Sequence, residues 1–334
     1  MKLFRKILYP VVPLYYVVVF LRNKFFDWSI FSSKSYTFPL LCVGNLSVGG
    51  TGKTPMIEYL IALLEPKYKL ATLSRGYGRK SKGFLIAEPN ATSQDIGDEP
   101  LQLFNKFKTI TVAVDADRQN GLKCLKENYP WVDAVLLDDA FQHRKVTAGF
   151  NMLLTAYDQL YCDDGVLPTG NLREPKSGAK RAQVIVVTKC PENLSDLEKT
   201  ALIKRLNPKS NQAVFFSSIQ YSDTLMSSTS SRSLIDLKNT RFTLVTGIAN
   251  PKPLVAYLEE LGLDFEHLSY KDHHEFSNSE LELIHSKSLV VTTEKDFSRL
   301  NSEAKDQIYY LPIQLKIDNA SEFDGLVEEY VGAF

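Results

Sequence analysis

Between residues 47 and 54 the chain reads Ser47-Val48-Gly49-Gly50-Thr51-Gly52-Lys53-Thr54. Glycines without a Cβ let successive backbone N–H groups converge on an anion. A helix starting near Lys53 would add the partial positive charge of its N-terminus. Lys53 would reach the β- and γ-phosphates of a nucleotide, and Thr54 would offer its hydroxyl to Mg²⁺. Pro55 fits a first helical turn, where its missing N–H is not needed. The usual pattern, GxxxxGK[ST], has Gly where Ser47 stands. The context nevertheless matches, with an apolar run before the loop and a helical run after it. This loop predicts binding of a nucleoside triphosphate by Ser47 through Thr54, with phosphoryl transfer as the chemistry.

Phosphoryl transfer needs a cation and acids to hold it. The apolar run 134–137 leads into Asp138-Asp139, the place expected for a carboxylate that holds Mg²⁺ beside a phosphate loop. A turn or helix cap is the bland alternative. Asp98-Glu99-Pro100 is a second acidic site, with Pro100 opening a helix whose positive end favours both carboxylates, although simple capping would explain them as well. Asp272-His273-His274 could support a base, or be surface histidines only. Gly-flanked arginines in 74–79 and Arg173 in 170–175 offer planar forks for phosphate, or are solvated loop residues.

Around these residues, apolar runs at 40–44, 70–73, 109–114, 134–137, 152–155 and 184–188 alternate with amphipathic stretches such as 55–64 and 100–107. Continuous apolar runs suit strands buried on both faces of a parallel sheet. The expected fold is α/β: a P-loop NTPase-like, mostly parallel sheet with helices on both faces. The Ser/Thr-dense stretch 222–233 reads as a loop or linker. Strand-like runs resume at 242–245, 289–292 and 309–311, with a helical pattern at 254–261. The domains expected are therefore 1–30, 31–221 and a smaller C-terminal α/β unit at 222–334.

With 39 Lys+Arg against 39 Asp+Glu, net charge is zero, so no basic surface for nucleic acid is indicated. The four cysteines have no metal-ligand spacing and read as reduced packing residues. Residues 7–21 carry no charge and are flanked by basic residues. As a helix they would span roughly 22 Å, short of the roughly 30 Å hydrocarbon core, with Pro10 and Pro13 interrupting. A signal peptide lacks a clear cleavage site here. A buried core helix and an aromatic-rich helix lying in the membrane interface both remain, the latter preferred.

Together these motifs resemble the tetraacyldisaccharide 4′-kinase (lipid A 4′-kinase) family. The resemblance rests on the loop 44–55, Ser74-Arg75-Gly76-Tyr77-Gly78, Gly97-Asp98-Glu99-Pro100, Asp138-Asp139-Ala140-Phe141-Gln142-His143, Leu167-Pro168 with 170–175, Asp272-His273-His274 and Thr293-Glu294-Lys295-Asp296. That family also accepts a hydroxyl residue at the position of Ser47. The resemblance implies ATP and Mg²⁺, and transfer of the γ-phosphate to the 4′-hydroxyl of an acylated glucosamine disaccharide 1-phosphate. It implies Asp98 as base with His273 beside it, Lys53 and Arg173 at the phosphates, and Thr54, Glu99, Asp138 and Asp139 as metal or active-site ligands. It implies a lipid substrate, a membrane surface and the cytoplasmic face of the inner membrane, and it implies no particular protein partner. A switch or partitioning ATPase is the competing class, but such loops often carry an early second Lys where this chain has Val48. A soluble small-molecule kinase or ligase is a third class, and the apolar amino terminus argues against it.

Overall fold

The computed structural model describes residues 9–272, 274–300 and 307–334. After a short 3₁₀ turn, helix α1 runs Val12–Asp27. The prolines expected to interrupt this segment instead introduce it: Pro10 lies in the 3₁₀ turn and Pro13 in the helix's first turn, where a missing N–H costs nothing.

Eight strands and a late ninth form the main sheet. They are β1 (Leu40–Asn45), β2 (Leu70–Ser74), β3 (Leu85–Ile86), β4 (Thr111–Val114), β5 (Ala134–Asp138), β6 (Phe150–Ala156), β7 (Val184–Thr188), β8 (Ala213–Tyr221) and β15 (Ile313–Ile317). Their order is β15-β8-β7-β6-β1-β5-β2-β4-β3, parallel from β8 through β4. β1 and β5 are neighbours in register, with Val43 opposite Asp138. Successive strand residues serve opposite faces, as the pleat requires. Leu41 and Val43 join one core with Met56, Ile57 and Leu60 of α2 (Lys53–Leu64). Leu40 and Cys42 join the other with Leu122 and Leu125 of a helix at Arg118–Asn128. Burial on both faces explains why these strands read as unbroken apolar runs.

A second sheet holds β9 (Thr224–Met226), β10 (Ser231–Ser233), β11 (Phe242–Thr246), β12 (Phe265–Ser269), β13 (Val290–Thr293) and β14 (Ile308–Leu311), ordered β10-β9-β14-β13-β11-β12. The stretch 222–233, expected as a linker, contributes the β9–β10 hairpin at its edge. The end of the chain differs from the expected 222–334 unit in sheet membership. β15 pairs antiparallel with β8, and the helix Ala320–Gly332 places Phe323, Val327 and Val331 in the first core. The spacing of those three residues, four apart, makes one apolar stripe that only the first sheet covers.

Candidate active site

The phosphate loop leaves the C-terminal end of β1, in the middle of the main sheet. Gly52 caps α2 at φ +84°, a left-handed conformation that costs glycine no Cβ clash. The loop is laced to its surroundings by backbone contacts. Val48 N–H donates to the Asn171 carbonyl (2.7 Å), and Arg173 N–H donates to that of Leu46 (2.7 Å). Thr188 Oγ1 donates to the Thr51 carbonyl (2.8 Å) and Lys189 Nζ to that of Gly50 (2.6 Å). Ser47 is buried, and its carbonyl accepts from Arg173 Nε (3.3 Å). The oddity in the motif therefore sits on the side of the loop that faces protein.

Lys53 Nζ lies 3.9 Å from Asp139 Oδ1. Arg173 forms a fork on Asp139, with both bonds at 3.0 Å, and reaches Asn45 Oδ1 at 2.6 Å. Asp138 is buried at the end of β5, and burial together with nearby Glu99 and Asp139 pushes its carboxyl up to about 7, against the pull of Lys53 and Arg118. Its Oδ1 atom and Thr51 Oγ1 are buried and without a hydrogen-bond partner among the described residues. Buried polar atoms are nearly always paired. Two of them, one in the glycine-rich loop and one at the end of the strand beside β1, fit a phosphate and its cation. Among the described residues no three His, Cys, Asp or Glu side chains form a metal cage by themselves. Mg²⁺ commonly takes one or two carboxylates plus substrate phosphates and waters.

The helix expected to open at Pro100 opens at Asp98 (Asp98–Lys106), so Asp98 and Glu99 lie within its first turn and not ahead of it. Gly97 precedes them at φ +94°, and a Cβ there would come within 3.0 Å of the Tyr77 carbonyl. The loop 74–78 thus seats the turn that presents Asp98. Arg299 bonds the Asp98 carboxylate (2.5 Å). His273 lies outside the described residues. His274 pairs with Glu280 (3.0 Å) among Tyr270 and Phe276, and Asp272 pairs with Lys295 (3.1 Å).

The sequence missed several contributors. Arg118 is 3% exposed and donates to the carbonyls of Asp138 (3.3 Å) and Asp115. Its position at the C-terminal edge, just past β4, is the one available signal. Glu174 is 2% exposed and gathers Asn23, Gln142 and Arg181, so it ties α1 to the site's rim. Arg79, grouped with the candidate arginines, donates to the Gly83 carbonyl (2.7 Å) and to the Val114 carbonyl at the end of β4 (3.5 Å).

A family model described as tetraacyldisaccharide-1-P 4′-kinase matches residues 4–331. The chain belongs to this family. The tetraacyldisaccharide 4′-kinase of Flavobacterium johnsoniae is 47% identical, over 99% of this chain and 98% of its own. That of Bacteroides thetaiotaomicron is 45% identical, over 93% and 89%. The crystal structure of LpxK from Aquifex aeolicus in complex with ATP superposes with a TM-score of 0.79 at 27% identity, covering 98% of this chain and 99% of that one. The fold expected from the sequence, a mostly parallel P-loop sheet with an N-terminal helix, is the fold found. Membership of a kinase family also decides against the switch ATPase class.

Proposed function

We propose that this chain transfers the γ-phosphate of ATP to the 4′-hydroxyl of a tetraacyldisaccharide 1-phosphate in lipid A biosynthesis. The observation that carries the reading is the phosphate loop at Lys53 facing the paired acids of the neighbouring strand, Asp138 and Asp139, in a chain of this family.

In this reading the loop amides, Lys53 and Thr54 hold the nucleotide phosphates. Thr54, Asp138, Glu99 and Asp139 supply the ligands for Mg²⁺, which when bound neutralises charge on the transferring group. Asp98 takes the proton from the 4′-hydroxyl as its oxygen bonds to the γ-phosphorus and the bond to the β,γ-bridging oxygen breaks, releasing ADP. His273 assists Asp98. Arg173 turns its fork from Asp139 to the phosphates, a cost that binding a more highly charged partner offsets.

The lipid acceptor calls for a membrane surface, and α1 supports that reading. Leu14, Val17, Val18 and Leu21 form one exposed apolar stripe, while Tyr15 and Phe26 face the protein. At the foot of α1 a cavity of about 460 Å³ is lined by Lys24, Arg144, Lys180, Arg181 and Lys209 with Asp27 among them, paired to Arg144 (2.8 Å), which leaves a basic excess suited to anionic headgroups. Among the described residues no helix is long and apolar enough to cross a membrane. We place the protein at the cytoplasmic face of the inner membrane, lying on it by α1.

The test is transfer of label from γ-labelled ATP with Mg²⁺ and the tetraacyl disaccharide 1-phosphate. Label is expected in the lipid, and Lys53→Ala is expected to lower it by on the order of 100-fold or more, since electrostatic stabilisation dominates such chemistry. Label found only in free phosphate would instead support the ATPase class.

A further inference from the structure

The motif Thr293-Glu294-Lys295-Asp296 has no part in the reaction as derived so far, although it stands at the start of the helix Glu294–Leu300, which packs against the helix that begins with Asp98. Its contacts form a chain that ends on Asp98. Asp296 is fully buried, and its Oδ2 accepts from Gly247 N–H (2.8 Å) and Thr293 Oγ1 (2.7 Å). Its Oδ1 accepts from Arg299 Nη1 (3.3 Å). Arg299, whose side chain is 9% exposed, then places both Nε (3.2 Å) and Nη2 (2.5 Å) on Asp98 Oδ2. Two further ion pairs brace the same helix. Glu294 binds Lys106 (3.0 Å), which also binds Glu58 of α2 (2.7 Å), and Lys295 binds Asp272 beside His273 (3.1 Å).

We infer that Arg299 is a positioning residue: the second unit uses it, through the Asp296 bracket, to aim the Asp98 carboxylate at the acceptor hydroxyl. This rests on the reading of Asp98 as base. The physical argument is one of rigidity. A carboxylate in the first turn of a helix turns readily about its side-chain torsions, and a misplacement of about 1 Å at a reacting group costs up to roughly 100-fold in rate. A planar fork, fixed at its other end by a fully buried carboxylate, removes that freedom in a way a lysine cannot. The bracket comes from β13, β11 and the helix after β13, so it aims Asp98 only when the two units are packed together. The motif's acids are then explained as supports for the base.

The test is steady-state kinetics on full-length Arg299→Met, Arg299→Lys, Asp98→Asn and the Asp98→Asn/Arg299→Met double variant, with thermal melting alongside. Arg299→Met is expected to lower kcat by roughly 10- to 100-fold with KM for ATP within about twofold, because it disturbs a group used in the transition state and spares the phosphate loop. Arg299→Lys is expected to recover only part of that loss. The double variant is expected to be no worse than Asp98→Asn alone, since residues acting as a unit are non-additive. If Arg299→Met lowers only the melting temperature and leaves kcat intact while Asp98→Asn is inactive, Arg299 is a structural ion pair and the inference fails alone. If Asp98→Asn keeps wild-type kcat, the reading of Asp98 as base fails and the inference with it. Should Arg299→Met not fold, Arg299→Lys carries the test, and full kcat in it overturns the inference.

Discussion

The acids of this protein sort by what surrounds them more than by where they stand in the sequence. Asp138 is buried with an unpaired oxygen and its carboxyl is pushed up to about 7, while Asp139 faces Lys53 and Arg173. Glu58 shows the same physics away from the chemistry. Burial foremost, then Glu294, pushes its carboxyl up to about 7, while Lys106 and Gln102 pull it down. Such a group holds its proton more tightly in the folded protein than in the unfolded chain. Its contribution to stability therefore declines as pH rises from about 4, the usual carboxylate range, to about 7, and is level above that. Glu58→Gln removes this dependence. The difference in melting temperature, variant minus wild type, is expected to grow between pH 5 and pH 8 and then flatten. A difference that is constant across that range, or that shrinks with pH, contradicts the assignment.

At the scale of elements, most of the main sheet was legible because burial on both faces writes a strand as an unbroken apolar run. The runs at 40–44, 134–137 and 184–188 are β1, β5 and β7 to within a residue. The hairpin in 222–233 was not legible. It is short, at a sheet edge, and set in a Ser/Thr-dense stretch, residues that serve loops equally well. The return of the last segment was legible only in part. Ile313, Leu315 and Ile317 alternate as a strand should, but nothing local says which sheet they join. The helix Ala320–Gly332 closes the main core, with Phe323 fully buried between Tyr59 and Phe215 at ring distances of 5.7 and 5.2 Å. Phe323→Ala is expected to destabilise the protein by about 3–5 kcal/mol in chemical denaturation. A loss below about 1 kcal/mol would show that the returning helix is not part of the core.

For the whole molecule, α1 is the element whose environment is least like the rest. Its stripe of Leu14 (67% exposed) and Val18 (58% exposed) contacts little of the protein, so charging it changes what it can lie against and not how the chain folds. Leu14→Glu/Val18→Glu is expected to leave the melting temperature within about 2 °C and to release the protein from vesicles of anionic phospholipid in flotation. Retention on the vesicles with unchanged melting would remove α1 as the membrane-facing surface. The zero net charge of the chain hides the basic rim beneath α1, because a sum over the molecule carries no record of where each sign is placed.

The sequence by itself determined the glycine-rich loop after β1, the class of fold and the family. Each depends on residues close together in the chain, whose backbone freedom and side-chain chemistry act over one turn or one strand. The glycines at 49, 50 and 52, Lys53 and Thr54 carry their meaning within eight residues. Only the tertiary structure decided the company those residues keep. Arg173 sits on Asp139, Arg118 beneath Asp138, and Arg299 on Asp98 across 201 positions of chain. Pairings of that kind are set by how strands order within a sheet and how two sheets meet, and a buried charge takes the partner that packing brings it, with no local signal in the sequence to mark it in advance.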